Sequence, residues 1–380
     1  MQKFVVTGGA PLRGEVRIAG AKNAVLKLMA AAALTDEPVT LRNVPQISDV
    51  QIMRETMRDI GFDVSKGTDH DLRIQARDAD WPFVPLEAAM KTRSSFILLG
   101  PMLSRFGRVI ISNPGGDRIG RRPVDLHVTA MQELGAEIEY KNGYYFAKAP
   151  SGLRGARIAF PYVTVMGTEN ALLAAVLARG STVIENAAQE PETEDLVAML
   201  CAMGARIERT APHRLEIEGV ERLSGAEHTV VGDRVEAGTF AIAAAVTGGS
   251  ITLRGADANH LQAFFEVLDG MGVPFEGTDE GVHVGSTDTY RPAAVETAPY
   301  PGFATDLQAP LAVLMTQADG DSTIHETIYE DRLDYTMELV KMGAVIEVMD
   351  ERHACIAGPT PLHGREVVIS DLRAGSTLVL

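Results

Sequence analysis

At 380 residues, of which 46% are hydrophobic and 23% charged, the chain exceeds what one hydrophobic core usually supports, and two globular domains are expected. The net charge of −16, from 35 basic against 51 acidic residues, argues against a nucleic-acid binder, because phosphate backbones demand broad basic surfaces. An anionic substrate must therefore be met by a local basic cluster.

The N-terminal residues run into Gly8 and Gly9 without the long apolar core of a secretion signal. Apolar runs such as Leu28 to Leu34 are far too short to span a bilayer, so a cytoplasmic protein with no membrane partner is expected. Strand signals then fall over Glu15 to Ile18, Val39 to Leu41, Asp63 to Ser65 and Leu72 to Ile74, between helix signals over Ala24 to Leu34 and Val50 to Asp59. The end of this unit recurs down the chain: an amphipathic helix end, a glycine, a small residue and a strand. It is seen at Met57 to Val64, Met131 to Ile138, Leu200 to Ile207, Leu268 to Phe275 and Val340 to Ile346. The glycines stand at 61, 135, 204, 272 and 343, a nearly constant period, and each suits the left-handed residue that ends a helix before the chain reverses.

A second signal marks unit starts, at Leu12-Arg-Gly, Leu153-Arg-Gly, Leu223-Ser-Gly and Leu362-His-Gly. The last opens a sixth unit, whose helix-glycine signal the period places near residue ~414. Ala374 to Leu380 reads as a helix start, so the sixth unit is expected to be incomplete. Asn170 to Leu177 and Gly238 to Val246 are almost wholly apolar helices, which implies burial on all sides. The expectation is an α/β fold turned inside out, with helices enclosed by sheets; a TIM barrel is disfavoured because its helices are amphipathic and lie outside. Cys201 and Cys355 make neither a disulfide framework nor a metal-ligand pattern and are expected as buried free thiols. No metal or cofactor is expected, and the sequence carries no signal for an oligomeric state.

The segment Asn113 to His127 concentrates three glycines, three arginines and two aspartates after the strand-like Arg108 to Ser112. Its Pro-Gly-Gly turn permits unusual backbone angles and close approach to a ligand. Arg118, Arg121 and Arg122 repel one another unless anions hold them; a solvated hairpin turn is the plainer reading of the segment alone.

Six stretches, in register over all 380 residues, resemble the UDP-N-acetylglucosamine 1-carboxyvinyltransferases, the enolpyruvyl transferases of peptidoglycan synthesis. They are Gly20-Ala-Lys-Asn-Ala24, Pro114 to His127, Glu185 to Glu192, Asp233 to Phe240, Thr305-Asp-Leu-Gln308 and Asp371-Leu-Arg373. The related 5-enolpyruvylshikimate-3-phosphate synthases carry Pro-Gly-Ser-Lys-Ser where this chain has Ala-Gly-Ala-Lys-Asn, which favours the nucleotide sugar over the shikimate. The resemblance implies an inside-out α/β barrel of six units in two domains, 22–229 and 1–21 plus 230–380, with the active site between them.

The implied reaction moves the enolpyruvyl group of phosphoenolpyruvate to the 3′-hydroxyl of UDP-N-acetylglucosamine and releases phosphate. It needs clamps for phosphate, carboxylate and diphosphate, a base for a hydroxyl and an acid for a methylene carbon. By resemblance, Lys22 binds phosphate at a helix start and Asn23 fixes the hydroxyl or the ketal, although Asn23 equally suits a helix cap. Arg122 and Arg373 receive the phosphoenolpyruvate anions with their bidentate forks, and Arg93 approaches the nucleotide sugar. Arg122, Pro123, Val124, Asp125 and Leu126 form the uridine-binding turn; Pro123 and Asp125 also suit the start of the next helix. Tyr162 to Val165 align with a second nucleotide-sugar loop, where Tyr162 and Met166 depart from the usual residues. Asp306 takes the 3′-hydroxyl proton, Ile328 gives the nucleotide a backbone contact, and Asp371 orients Arg373 or a neighbour.

Position 117 carries aspartate where many of the family carry cysteine. A carboxylate is a far weaker nucleophile than a thiolate, so resistance to the epoxide fosfomycin is expected, with Asp117 as the general acid. Should the gene product end at Leu380, a further family arginine is missing, and a catalytically weak sugar-nucleotide-binding paralogue is the alternative.

Overall fold

The computed structural model describes residues 3–67, 70–76, 82–116 and 119–380. Among these the strands form five four-stranded sheets of one design. The first strand runs parallel to the second, the second pairs antiparallel with the fourth, and the fourth antiparallel with the third. Glu227–Thr229, Val39–Arg42, Leu72–Ala76 and Phe62–Lys66 make one such sheet. Phe83–Val84, Arg108–Ser112, Tyr144–Lys148 and Glu137–Lys141 make the next. Arg157–Thr164, Ser181–Ala187, Arg214–Glu218 and Arg206–Ala211 make the third. Arg13–Arg17 heads the fourth, with Ser250–Arg254, Gly281–Val284 and Phe275–Thr278. Ala294–Glu296 heads the fifth, with Gly320–His325, His353–Gly358 and Val345–Val348.

The repeat read along the chain is therefore not the repeat that folds. Arg13–Arg17 leaves Val39–Arg42 and lies beside Ser250–Arg254, while Glu227–Thr229 takes the vacated place. Both are unit-opening strands, and each needs only a parallel second strand to satisfy its ladder. After Leu362 the start signal is not followed by a strand among the described residues; the chain forms a helix, Leu372–Val379.

Helices fill the interior. Lys22–Ala31 continues into a 3₁₀ turn, Ala32–Leu34, and every residue from Ala24 to Leu34 is buried, including Lys27. Val165–Ala175, Arg234–Val246 and Thr305–Met315 are buried on nearly all sides. The strands alternate instead, buried residues of Leu72–Ala76 interleaving with half-buried ones, so one face of the sheet packs inward and the other faces water. Helices inside and sheets outside make this an inside-out α/β fold. The five repeat glycines take φ between 91° and 112°, the left-handed region open to glycine at low cost.

The chain divides into two compact units, one of Ala19–Gly116 with Arg122–Val231, the other of Met1–Ile18, Asp117–Arg121 and Gly232–Leu380. Each has its own apolar cluster, the first around Leu28, Phe96 and Leu172, the second around Ile242, Leu268 and Leu314. The expected burial of both cysteines does not hold. Cys201 is exposed, since the helix Pro191–Ala202 turns Leu196, Met199 and Leu200 inward and leaves position 201 outward, and Cys355 is half-buried.

Candidate active site

In the unit containing Lys22, three element starts are tied by side chains. Lys22 opens its helix, and its ammonium sits 3.5 Å from Asp49 Oδ2, with both side chains 23% exposed. Asp49 lies in the first turn of Ser48–Ile60, where a carboxylate suits the helix dipole, and its Oδ1 accepts the Thr92 hydroxyl at 2.7 Å. Thr92 in turn accepts from the Ser94 amide at 3.4 Å and caps the 3₁₀ turn Arg93–Leu98. Asn23, beside Lys22, is half-buried, and its carbonyl accepts from Lys27.

Arg93 reaches across to the segment after the arginine-rich turn, donating to the carbonyls of Arg122 and Pro123. A guanidinium spent on backbone oxygens fixes this segment as a rigid approach to the helix Asp125–Glu133. Pro123 and Asp125 are exposed, Val124 is buried, and Leu126 packs against the apolar cluster, so the turn offers polar edges from an apolar footing. Beneath it His127 is fully enclosed; burial, reinforced by the charge of Arg93, pushes its imidazole down to about 3. Asn170 donates to His127 Nδ1 at 2.9 Å and to the Phe96 carbonyl at 3.0 Å, and accepts the Gly100 amide at 2.7 Å. Tyr162 is 57% exposed at the end of Arg157–Thr164, and Val165 is half-buried at the start of the following helix.

In the other unit Asp306 sits in the first turn of Thr305–Met315 between two arginines. Arg332 donates to Oδ1 at 2.7 Å, and Arg373 approaches Oδ2 through Nε at 3.0 Å and Nη2 at 2.8 Å. Burial alone would raise this carboxyl, but Arg373, Arg332 and Arg234 outweigh it and hold Asp306 well below the usual carboxylate range. Asp371 caps the helix Leu372–Val379, its Oδ1 accepting the amides of Arg373 at 2.8 Å and Ala374 at 3.1 Å. The Arg373 backbone is thereby fixed while its guanidinium meets Asp306. The Ile328 amide is taken by Glu326 Oε1 at 2.8 Å, so a backbone contact from Ile328 to a ligand must use its carbonyl.

The fold thus joins Asp306 to Arg373, Asp371 to the Arg373 backbone, and Arg93 to the Arg122–Pro123 carbonyls. Asp117 and Arg118 lie outside the described residues. Sequence reasoning missed Arg332, Asp49 and Glu326. Arg332 has the clearest signal, an arginine four residues after Ile328, but only the fold brings it to Asp306.

The sequence profile of EPSP synthase (3-phosphoshikimate 1-carboxyvinyltransferase) matches residues 6–380. Among solved structures, the enolpyruvyl transferase NikO from Streptomyces tendae superposes with a TM-score of 0.89 at 26% identity, over 98% of this chain and 88% of that one. An EPSP synthase from Acinetobacter baumannii shares the fold, with a TM-score of 0.75 at 17% identity over 97% of this chain and 89% of that one. The fold and the matched length place the chain among the enolpyruvyl transferases. UDP-N-acetylglucosamine 1-carboxyvinyltransferase of Koribacter versatilis is 45% identical over all of this chain and 88% of its own length. That of Maricaulis maris is 46% identical over all of this chain and 90% of its own. The chain belongs to the UDP-N-acetylglucosamine 1-carboxyvinyltransferase family.

Proposed function

We propose that this protein transfers the enolpyruvyl group of phosphoenolpyruvate to the 3′-hydroxyl of UDP-N-acetylglucosamine, in the cytoplasm, as a step of peptidoglycan synthesis. The observation that carries the reading is Asp306 held between Arg332 and Arg373, a carboxylate and a guanidinium fork in direct contact. In this reading Arg373 exchanges Asp306 for a phosphoenolpyruvate anion. Losing that partner removes part of what holds Asp306 ionised and makes it a better proton acceptor.

The sugar hydroxyl then gives its proton to Asp306 as its oxygen bonds to C2 of the enolpyruvyl group, and C3 receives a proton from Asp117. The tetrahedral ketal so formed returns a C3 proton to the Asp117 carboxylate and expels phosphate, which takes up the proton held by Asp306, restoring the double bond in an enolpyruvyl ether on the sugar 3′-oxygen. Lys22 and Arg122 carry phosphate and carboxylate charge, with Asn23 at the hydroxyl. Arg93, Pro123, Val124, Asp125, Leu126, Tyr162, Val165 and the Ile328 carbonyl receive the nucleotide sugar, and Asp371 keeps Arg373 aimed. Phosphate release from phosphoenolpyruvate tests the acceptor. UDP-N-acetylglucosamine is expected to support it and shikimate 3-phosphate to fail; the opposite order would sink the assignment.

A further inference from the structure

Glu326 is fully buried, and four donors converge on its carboxylate. Oε1 accepts the Ile328 amide at 2.8 Å, the Tyr329 amide at 3.1 Å and the Thr297 hydroxyl at 3.1 Å. Oε2 accepts the Thr305 hydroxyl at 2.8 Å. Arg352 Nη1 holds the Glu326 carbonyl at 3.0 Å. A carboxylate removed from water is costly unless its oxygens are satisfied, so this group belongs to a network that works as a unit. The two ends of that network are informative. One is the turn carrying Ile328. The other is Thr305, the residue before Asp306, on a helix whose N-cap, Ala304, supplies no capping side chain. One side chain therefore sets both the turn and the start of the Asp306 helix.

We propose that Glu326 is a positioning residue for the transfer reaction, fixing the nucleotide-sugar turn at Ile328 and the base at Asp306 in one register. The proposal rests on the functional reading above. Its arms separate by mutation. Thr305→Val cuts only the arm to the Asp306 helix. Glu326→Ala cuts both. Glu326→Gln keeps an acceptor oxygen for the Ile328 and Tyr329 amides and turns its amide nitrogen to the Thr305 hydroxyl, which then accepts.

Steady-state kinetics and amide hydrogen exchange are measured on the wild type and the three variants, with thermal midpoints to normalise for folded protein. Thr305→Val is expected to lower kcat about tenfold with the KM for UDP-N-acetylglucosamine unchanged. Glu326→Ala is expected to lower kcat and raise that KM, each about tenfold, and to lose exchange protection at Ile328 and Tyr329. Glu326→Gln is expected to recover most of both. Folded Thr305→Val and Glu326→Ala proteins with wild-type kcat and KM would overturn the proposal, as would a Gln variant no better than Ala. A wild type without transfer activity overturns the functional reading instead. Exchange then decides the positioning role alone, unaltered protection at Ile328 and Tyr329 in Glu326→Ala counting against it.

Discussion

Asp306 must accept a proton in the proposed reaction, yet the arginines beside it make its carboxylate a weak base. In the proposed reaction an anion draws Arg373 away and relieves this, so that base strength follows substrate binding. Asp117, the proposed acid, gives the chain a chemistry of its own. A carboxylate at this position is expected to resist alkylation by fosfomycin, and Asp117→Cys to become alkylated, with intact-mass spectrometry as the readout; an adduct on Asp117 itself would refute this. Glu169 carries a different pH signature. Burial drives its carboxyl up to about 7 against the pull of Lys27, whose ammonium lies 3.4 Å away, with Glu190 pushing the same way as burial. Its folded value lies above the unfolded one, so its stabilising contribution is complete below about pH 4.5 and is lost as pH rises through about 7. The thermal midpoint should fall from pH 5 to 8, by the equivalent of roughly 2 kcal/mol, and Glu169→Gln should flatten that slope. A variant with the wild-type slope would contradict the assignment. None of this was legible from Glu169 in the sequence, where it stands between Thr168 and Asn170 before an apolar run; burial opposite Lys27 exists only once the helices pack.

Among elements, the buried helices explain why the fold was readable and why its details were not. Apolar runs such as Asn170 to Leu177 announced interior helices, and the recurrent glycines marked where helices end. Their starts were less clear: Val165–Ala175 begins five residues before the apolar run, on Thr164, which makes no side-chain cap. The close contact between Leu99–Phe106 and Val165–Ala175 was also invisible. A Cβ on Gly100 would lie 2.4 Å from the Asn170 carbonyl oxygen and 2.5 Å from its Oδ1. Gly100→Ala is therefore expected to cost about 2–3 kcal/mol of stability and to disturb Asn170, the hydrogen-bond partner of His127 beneath the Arg122 to Leu126 turn. Chemical denaturation checks this, and a loss below about 0.5 kcal/mol would show that the helices part without strain. The tethers Lys22–Asp49–Thr92 and Arg93–Pro123 likewise join elements distant in sequence, and the motifs around Lys22 and Arg122 carry no signal of these partners.

For the molecule as a whole, the period of the sequence announced the repeats, and the exchange of Arg13–Arg17 for Glu227–Thr229 binds them into two units rather than a simple string. Periodicity records local pattern, whereas the parallel partner of a unit-opening strand is set by contacts distant in sequence. The residues singled out in the sequence occur in both units, Lys22, Arg93 and the Arg122 to Leu126 turn in one and Asp306, Ile328 and Arg373 in the other. The account's central claim is the transfer itself. Phosphoenolpyruvate labelled with carbon-13 at C2, incubated with the protein and UDP-N-acetylglucosamine, should leave its label on an enol ether at the sugar 3′-oxygen, read by NMR with stoichiometric phosphate. Phosphate released without label on the sugar, or label carried by another acceptor in its place, would contradict it.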